Sequence, residues 1–231
     1  MCGRFTYRFT WQELARLLSL IDWPAEHLRP RYNVAPTQPA PVVRMQQAGR
    51  RTASMLTWGL VPSWASDVAI ASRMINARAE SLSQKPAFRA AFARRRCLVP
   101  ISGFYEWKKL GDGKRKQPFI IERDDHQPFM LAGLWERWTK GDEPLETFTI
   151  ITTDANELLR PLHDRMPVIL SDADLDLWLN PQHTDADALR RLLQPADPAG
   201  FRARPVSTRV NSPKYDDPSI LDEDSGTLFN P

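Results

Sequence analysis

The sequence predicts one α+β domain with a compact, barrel-like, antiparallel β core and helices at its periphery. Three observations predict it. Strand-like runs dominate the middle of the chain, helical patterns gather at both ends, and no βαβ period, repeat or low-complexity linker divides it. With 231 residues, 42% hydrophobic and 26% charged, the chain can build a sizeable core and is neither disordered nor fibrous by composition. The domain is expected over residues 1–215, with 216–231 as an acidic, flexible tail.

Thr10-Trp-Gln-Glu13 has capping-box spacing, and Leu14, Leu17, Leu18 and Ile21 share a face, so Thr10 to Leu20 reads as a helix. Residues 22–41 carry Pro24, Pro30, Pro36, Pro39 and Pro41, which argues against a regular interior element there. Val42–Met45 and Ala53–Trp58 flank Gln-Gln-Ala-Gly-Arg and suggest a hairpin. Trp58 to Trp64 reads as a loop. Pro86 to Ala93 reads as a short helix, with Phe88 and Phe92 four residues apart. Strands follow at Cys97–Pro100, Phe104–Lys108, Gln117–Glu122, Pro128–Leu134 and Glu146–Thr152, with turns at Gly111–Gly113 and Asp124–Asp125. Asp154 has an N-cap pattern for a short helix to Leu159. A strand at Pro167–Leu170, helices at Ser171–Leu179 and Thr184–Leu193, a loop over 195–205 and a short strand near Arg204–Ser207 complete the reading.

The formal charge is +3, but residues 1–215 alone carry 31 basic and 23 acidic residues, or +8. Basic groups cluster at Arg94-Arg95-Arg96, Lys108-Lys109 and Lys114-Arg115-Lys116, which suits a polyanion as well as an ordinary solvated surface. No run approaches 18 consecutive apolar residues and no secretory leader is evident, so neither a membrane span nor export is expected. Two cysteines do not make a disulfide framework; Cys2 and Cys97 are expected as free thiols in a reducing, cytoplasmic compartment. His27, His126, His163 and His183 show no zinc spacing with them, and no metal or cofactor is expected. The phosphate-binding Walker loop, the G-x-S-x-G elbow, H-E-x-x-H and the zinc deaminase signature are all missing.

Cys2 follows the initiator methionine, whose removal would place an α-amine and a thiol two carbons apart. Such a pair condenses with an aldehyde to an imine, and the thiol then closes a five-membered thiazolidine. Both groups are near reactivity at neutral pH, and Arg4 adds positive charge. The plain alternative is an accidental cysteine at a frayed terminus. Gly103-Phe-Tyr-Glu106-Trp surrounds a carboxyl with aromatic residues; facing inward, Glu106 would have a raised pKa suited to proton transfer, and facing outward it would be a surface glutamate. His163, between Asp164 and Arg165, is a candidate proton carrier or a surface histidine. Asn76, Arg78 and Glu80 share one side if their segment is extended, and Arg78 could then grip a phosphate. Asn33 lies in the turn-like Tyr32-Asn-Val-Ala-Pro36. Trp58 and Trp64 could stack on bases; Trp11, Trp107, Trp135, Trp138 and Trp178 read as packing residues.

Taken in order, these segments resemble the SOS-response-associated peptidase (SRAP) family, whose members process abasic sites in single-stranded DNA. The likeness runs from Met1-Cys-Gly-Arg-Phe5 through Tyr32-Asn-Val-Ala-Pro36, Trp58-Gly-Leu-Val-Pro62, Ile75-Asn-Ala-Arg-Ala-Glu80, Gly103-Phe-Tyr-Glu-Trp107 and Leu162-His-Asp-Arg-Met-Pro167 to Val206-Ser-x-x-Val210-Asn. It implies a compact SRAP-like domain with a positively charged groove; no metal or nucleotide cofactor is needed for the implied chemistry, and a monomer is expected. It further implies that the protein removes its own Met1 and that Cys2 forms a thiazolidine with the abasic aldehyde. By the resemblance Asn76 positions the cysteine and sugar, Glu106 assists methionine removal and sugar opening, and His163 manages protons. Arg4, Arg78 and Arg165 hold phosphates or shape the pocket, and Asn33 lines the groove. Some relatives carry two adjacent aromatics where this chain has Trp64-Ala65, which bears on recognition of single-strand–duplex junctions. Lyase cleavage from the same imine is a further family property. Two other readings stay open at this stage: a protease acting on other chains, and a non-enzymatic single-strand binder.

Overall fold

The computed structural model describes residues 2–46, 49–111 and 115–222. Its centre is a five-stranded ring. Arg51–Trp58 pairs with Pro39–Met45, which pairs with Arg96–Ile101, then Phe129–Trp138, then Leu145–Asp154. Leu145–Asp154 returns to Arg51–Trp58 through Thr147↔Thr57 and Phe148↔Trp58, closing the barrel. That last seam is parallel, so the expected antiparallel barrel is antiparallel at four of its five joints. Closure removes the open edge that an isolated sheet would expose.

Short strands extend the ring. Asn76–Arg78 and Arg165–Pro167 both pair with the end of Leu145–Asp154, and Leu20–Asp22 pairs with Arg51–Trp58. A second sheet of five strands runs Phe201–Pro205, Lys116–Arg123, Gly103–Lys109, Phe5–Tyr7 and Arg31–Val34. One face of it packs on the barrel: Phe5 meets Trp58 at 4.9 Å between ring centroids, and Phe104 and Ile121 join the main core. The other face, with Tyr105 and Ile120, is covered by Val206, Val210 and Ile220. Among the described residues, no helix is long and apolar enough to cross a membrane.

The expected helix at Thr10 is present as Trp11–Leu18, with the capping box formed: Glu13 N donates to Thr10 Oγ1 at 3.2 Å and Thr10 N to the Glu13 carboxylate at 2.7 Å. It ends early at Ser19, which turns left-handed (φ 51°), so Ile21 passes into a strand and is exposed, as is Leu17. The proline-rich stretch was expected to hold no regular element. Arg31–Val34 is nonetheless a strand, because its prolines flank the paired residues, and Pro39 opens the next strand at its first position. Asp154 closes a strand and does not cap a helix; residues after it form turns, with Leu159 N donating to Asn156 Oδ1 at 3.1 Å. The 195–205 loop contains the strand Phe201–Pro205, paired with Arg123 to Phe119.

A boundary after Tyr215 does not match the packing. Ile220 is fully buried, and Asp216 pairs with Arg31 and accepts from the backbone N–H groups of Tyr32 and Asn33 at 2.6 and 2.7 Å. The chain remains part of the domain through Leu221, whose carbonyl accepts from Arg204 at 2.6 Å. Glu223, Asp224, the turn at Gly111–Gly113 beyond its first residue, Lys114 and Met1 lie outside the described residues. The Arg94–Arg96 cluster is not a basic stripe: Arg96 is buried and donates to five backbone carbonyls, and Arg95 pairs with Glu136.

Candidate active site

The site forms where the second sheet meets the barrel. Phe5 pairs with Phe104, and Tyr105 N donates to the Arg4 carbonyl at 3.0 Å. Carrying that register one step further sets Glu106 alongside Gly3 and Cys2. Alternation along the strand turns Glu106 to the same side as Phe104, towards the barrel, so its burial at 2% exposure follows from the pleat. From the barrel side, Asn76 pairs with Ile150 and donates its Nδ2 to the Cys2 carbonyl at 2.8 Å. Asn76 Oδ1 is buried with no hydrogen-bond partner among the described residues, leaving an acceptor beside the Cys2 backbone.

Cys2 is wholly buried. Burial pushes its thiol up, and the Glu106 carboxylate pushes it the same way, so the sulfur is held as S–H. Burial also raises the Glu106 carboxyl, a shift opposed by nearby positive charge that includes His163. A carboxyl raised in this way is better suited to hold and pass a proton than an exposed glutamate. His163 is turned into place by its backbone N–H on Leu159 O at 2.9 Å, and its Nδ1 accepts from Arg165 N at 2.9 Å. Cys2, Asn76, Glu106 and His163 are thus brought together from four separated stretches of sequence.

The other candidates divide. Arg4 donates to Asn33 Oδ1 and Val210 O, both at 2.7 Å, and burial lowers its pKa. Asn33 is fully buried and its Nδ2 faces the carbonyls of Val210, Ser212 and Tyr215. Its amide therefore ties the 208–215 segment to the sheet and fixes Arg4; it does not reach a groove. Arg165 is similarly engaged, donating to both Glu80 oxygens at 2.5 and 3.0 Å, to Asp154 and to Thr152 O. Arg78, on the extended Asn76–Arg78 strand, is exposed, whereas Glu80 has passed into a 3-10 turn. Trp64 is 54% exposed; Trp58 is buried, donates to Ile75 O and packs on Phe148, which removes it as a stacking platform. Cys2 and Cys97 are both free thiols.

A family profile described as "SOS response associated peptidase (SRAP)" matches residues 1–213. The chain belongs to the SRAP family. It is 45% identical over 224 residues to the abasic site processing protein YoqW of Bacillus subtilis, covering 96% of this chain and 99% of that one. It is 32% identical to the abasic site processing protein HMCES of Gallus gallus, covering 96% of this chain and 77% of that one. A crystal structure of a Bacteroides thetaiotaomicron protein superimposes with a TM-score of 0.82 at 28% identity, over 96% and 99% of the two chains.

In this SRAP domain the chemistry available is that of a thiol, a carboxyl, an imidazole and an amide around one chain terminus. Among the described residues, no group of three His, Cys, Asp or Glu side chains could hold a metal ion. Asp216, Glu80 and Asp154 were missed as partners of the site's framework. In sequence Asp216 reads as tail charge, Glu80 as sharing a side with Asn76 and Arg78, and Asp154 as a helix cap; only the fold shows that each one satisfies a neighbouring arginine or backbone.

Proposed function

We propose that this protein processes abasic sites in single-stranded DNA through a covalent bond to Cys2. The convergence of Asn76, Glu106 and His163 on Cys2 carries this reading, together with the Asn76 hydrogen bond to the Cys2 carbonyl. Hydrolysis of the Met1–Cys2 bond comes first: Glu106 takes a proton from water, the oxygen goes to the Met1 carboxylate and the Cys2 amine is released. The abasic sugar then opens to its aldehyde, with Glu106 in its acid form donating to the ring oxygen. The Cys2 amine adds to C1′, and loss of water gives the imine. The Cys2 sulfur closes on the same carbon, forming S–C1′ while its proton passes to the imine nitrogen.

Fixing amine, thiol and aldehyde in one pose supplies much of the acceleration, up to about 7–11 kcal/mol in ideal intramolecular cases. Arg78 and Trp64 are the exposed groups suited to a phosphate and an unstacked base. Proton loss from C2′ of the same imine would instead cleave the 3′ phosphate, a lyase branch of the same chemistry. The depth of Cys2 speaks for a small aldehyde end over a polypeptide substrate, against a protease acting on other chains.

Intact-mass spectrometry before and after incubation with an abasic oligonucleotide tests the scheme. Loss of one methionine followed by a stable adduct is the expected result, with the adduct missing in Cys2→Ala. Met1 retained on protein that still traps the DNA permanently would rule out the thiazolidine. Equal noncovalent binding of intact and abasic strands with no adduct would indicate a binding module.

A further inference from the structure

We propose that Asp164 is a positioning residue that sets which nitrogen of His163 carries the proton; its role in the reaction rests on the function proposed above. His163 Nδ1 makes two contacts that exclude each other. It lies 2.9 Å from the backbone N of Arg165, a donor, and 2.7 Å from Asp164 Oδ1, an acceptor. An imidazole nitrogen offers either a lone pair or a hydrogen, never both. With the lone pair on Nδ1 turned to the Arg165 N–H, the neutral ring carries its proton on Nε2, which can only donate. With Nδ1–H turned to Asp164, Nε2 carries the lone pair and can accept.

The surroundings favour a toggle over a fixed state. The Asp164 side chain is 86% exposed and can leave Nδ1 without a burial penalty, while the Arg165 N–H is fixed by the strand Arg165–Pro167. The charged groups facing the ring are Glu106 from the strand Gly103–Lys109 and Asp164 from its own turn. The Arg165 guanidinium is turned away to Glu80 and Asp154. Ring closure and ring opening need opposite proton movements. Closure takes the proton from the Cys2 sulfur and delivers it to the imine nitrogen; opening returns it. An Nε2 that accepts in one tautomer and donates in the other serves both directions, and Asp164 supplies the accepting form.

Asp164→Ala tests this, with Asp164→Glu as the conservative variant. In DNA-free protein, long-range proton–nitrogen NMR of the His163 ring is expected to show the Nδ1–H form depleted in Asp164→Ala and restored in Asp164→Glu. Crosslinking of Asp164→Ala to an abasic oligonucleotide is expected to slow about fivefold at neutral pH, the scale of an exposed charge-assisted contact. Unchanged tautomer populations in Asp164→Ala overturn the proposal, and so does an unchanged crosslinking rate alongside shifted populations. If the wild-type protein forms no crosslink, the thiazolidine reading fails and the tautomer measurement still decides whether Asp164 sets the ring.

Discussion

The side-chain amide of Asn76 holds the backbone carbonyl of Cys2 at 2.8 Å, across 74 positions of sequence. Asn76 is itself fixed by its strand's parallel pairing with Leu145–Asp154, so the terminus is gripped by a rigid part of the barrel. Asn76→Ala is expected to slow crosslinking about 100-fold, the scale of an ångström's misplacement of a reacting group. Melting should change little, since one hydrogen bond contributes about 1 kcal/mol. Single-turnover adduct formation beside thermal unfolding separates the two.

Glu106 gives a pH-dependent signature. Its carboxyl is raised in the folded protein by burial, so between its unfolded and folded pKa the native state binds more protons than the unfolded one. Stability contributed by the protonated group is present below the ordinary glutamate pKa and is lost as pH rises through the raised value. Glu106→Gln, which mimics the protonated form, should therefore melt higher than wild type at pH 7–8 and show no advantage near pH 4. It should also leave some Met1 attached and crosslink slowly. Melting curves across that range, with intact mass, check both.

Arg78 and Arg165 are both arginines of the same sheet end, yet their substitutions should fail differently. Arg78 is exposed, and Arg78→Ala should weaken single-strand binding and lower the salt slope by about 0.7, the value for one phosphate contact. The Arg165 side chain is 11% exposed and serves Glu80, Asp154 and Thr152 O. Arg165→Ala should cost about 1–2 kcal/mol of stability, discounted for the exposure of its two acidic partners. Binding titrations at several salt concentrations, paired with denaturant unfolding, distinguish them.

Truncation tests the corrected boundary. A chain ending at Tyr215 loses the Asp216 contacts to Arg31, Tyr32 and Asn33 and the buried Ile220. Burial of one isoleucine and a set of charge-assisted bonds together account for about 3–5 kcal/mol. The truncated chain should melt well below one ending at Asp222.

Much of this was legible in the sequence where the cause is local. The capping box at Thr10 and Glu13, the Pro86 helix start and the hairpin of Val42–Met45 with Ala53–Trp58 depend on residues close in sequence, and each formed, the hairpin strands running on to Pro39 and Arg51. The inward turn of Glu106 follows from strand alternation once the strand is known. What escaped was set by distant pairing. Arg31–Val34 is a strand only because Phe5–Tyr7 lies beside it, and Asp154 was read as a cap because its partner Arg165 lies on another strand. Asn33 and Arg165 have side chains suited to DNA, but the fold uses both internally. Among those side chains, sequence cannot separate a free arginine from one already paired.

The strand Leu145–Asp154 has two duties: its first half shuts the barrel against Arg51–Trp58, and its second half carries Asn76–Arg78 and Arg165–Pro167. During synthesis the amino terminus leaves the ribosome long before this strand exists. Cys2 therefore spends most of translation without Asn76's strand anchored, without Glu106 and without His163. An aminopeptidase would meet an unfolded amino terminus in that interval, whereas the self-processing proposed above would have to wait until the wall is complete.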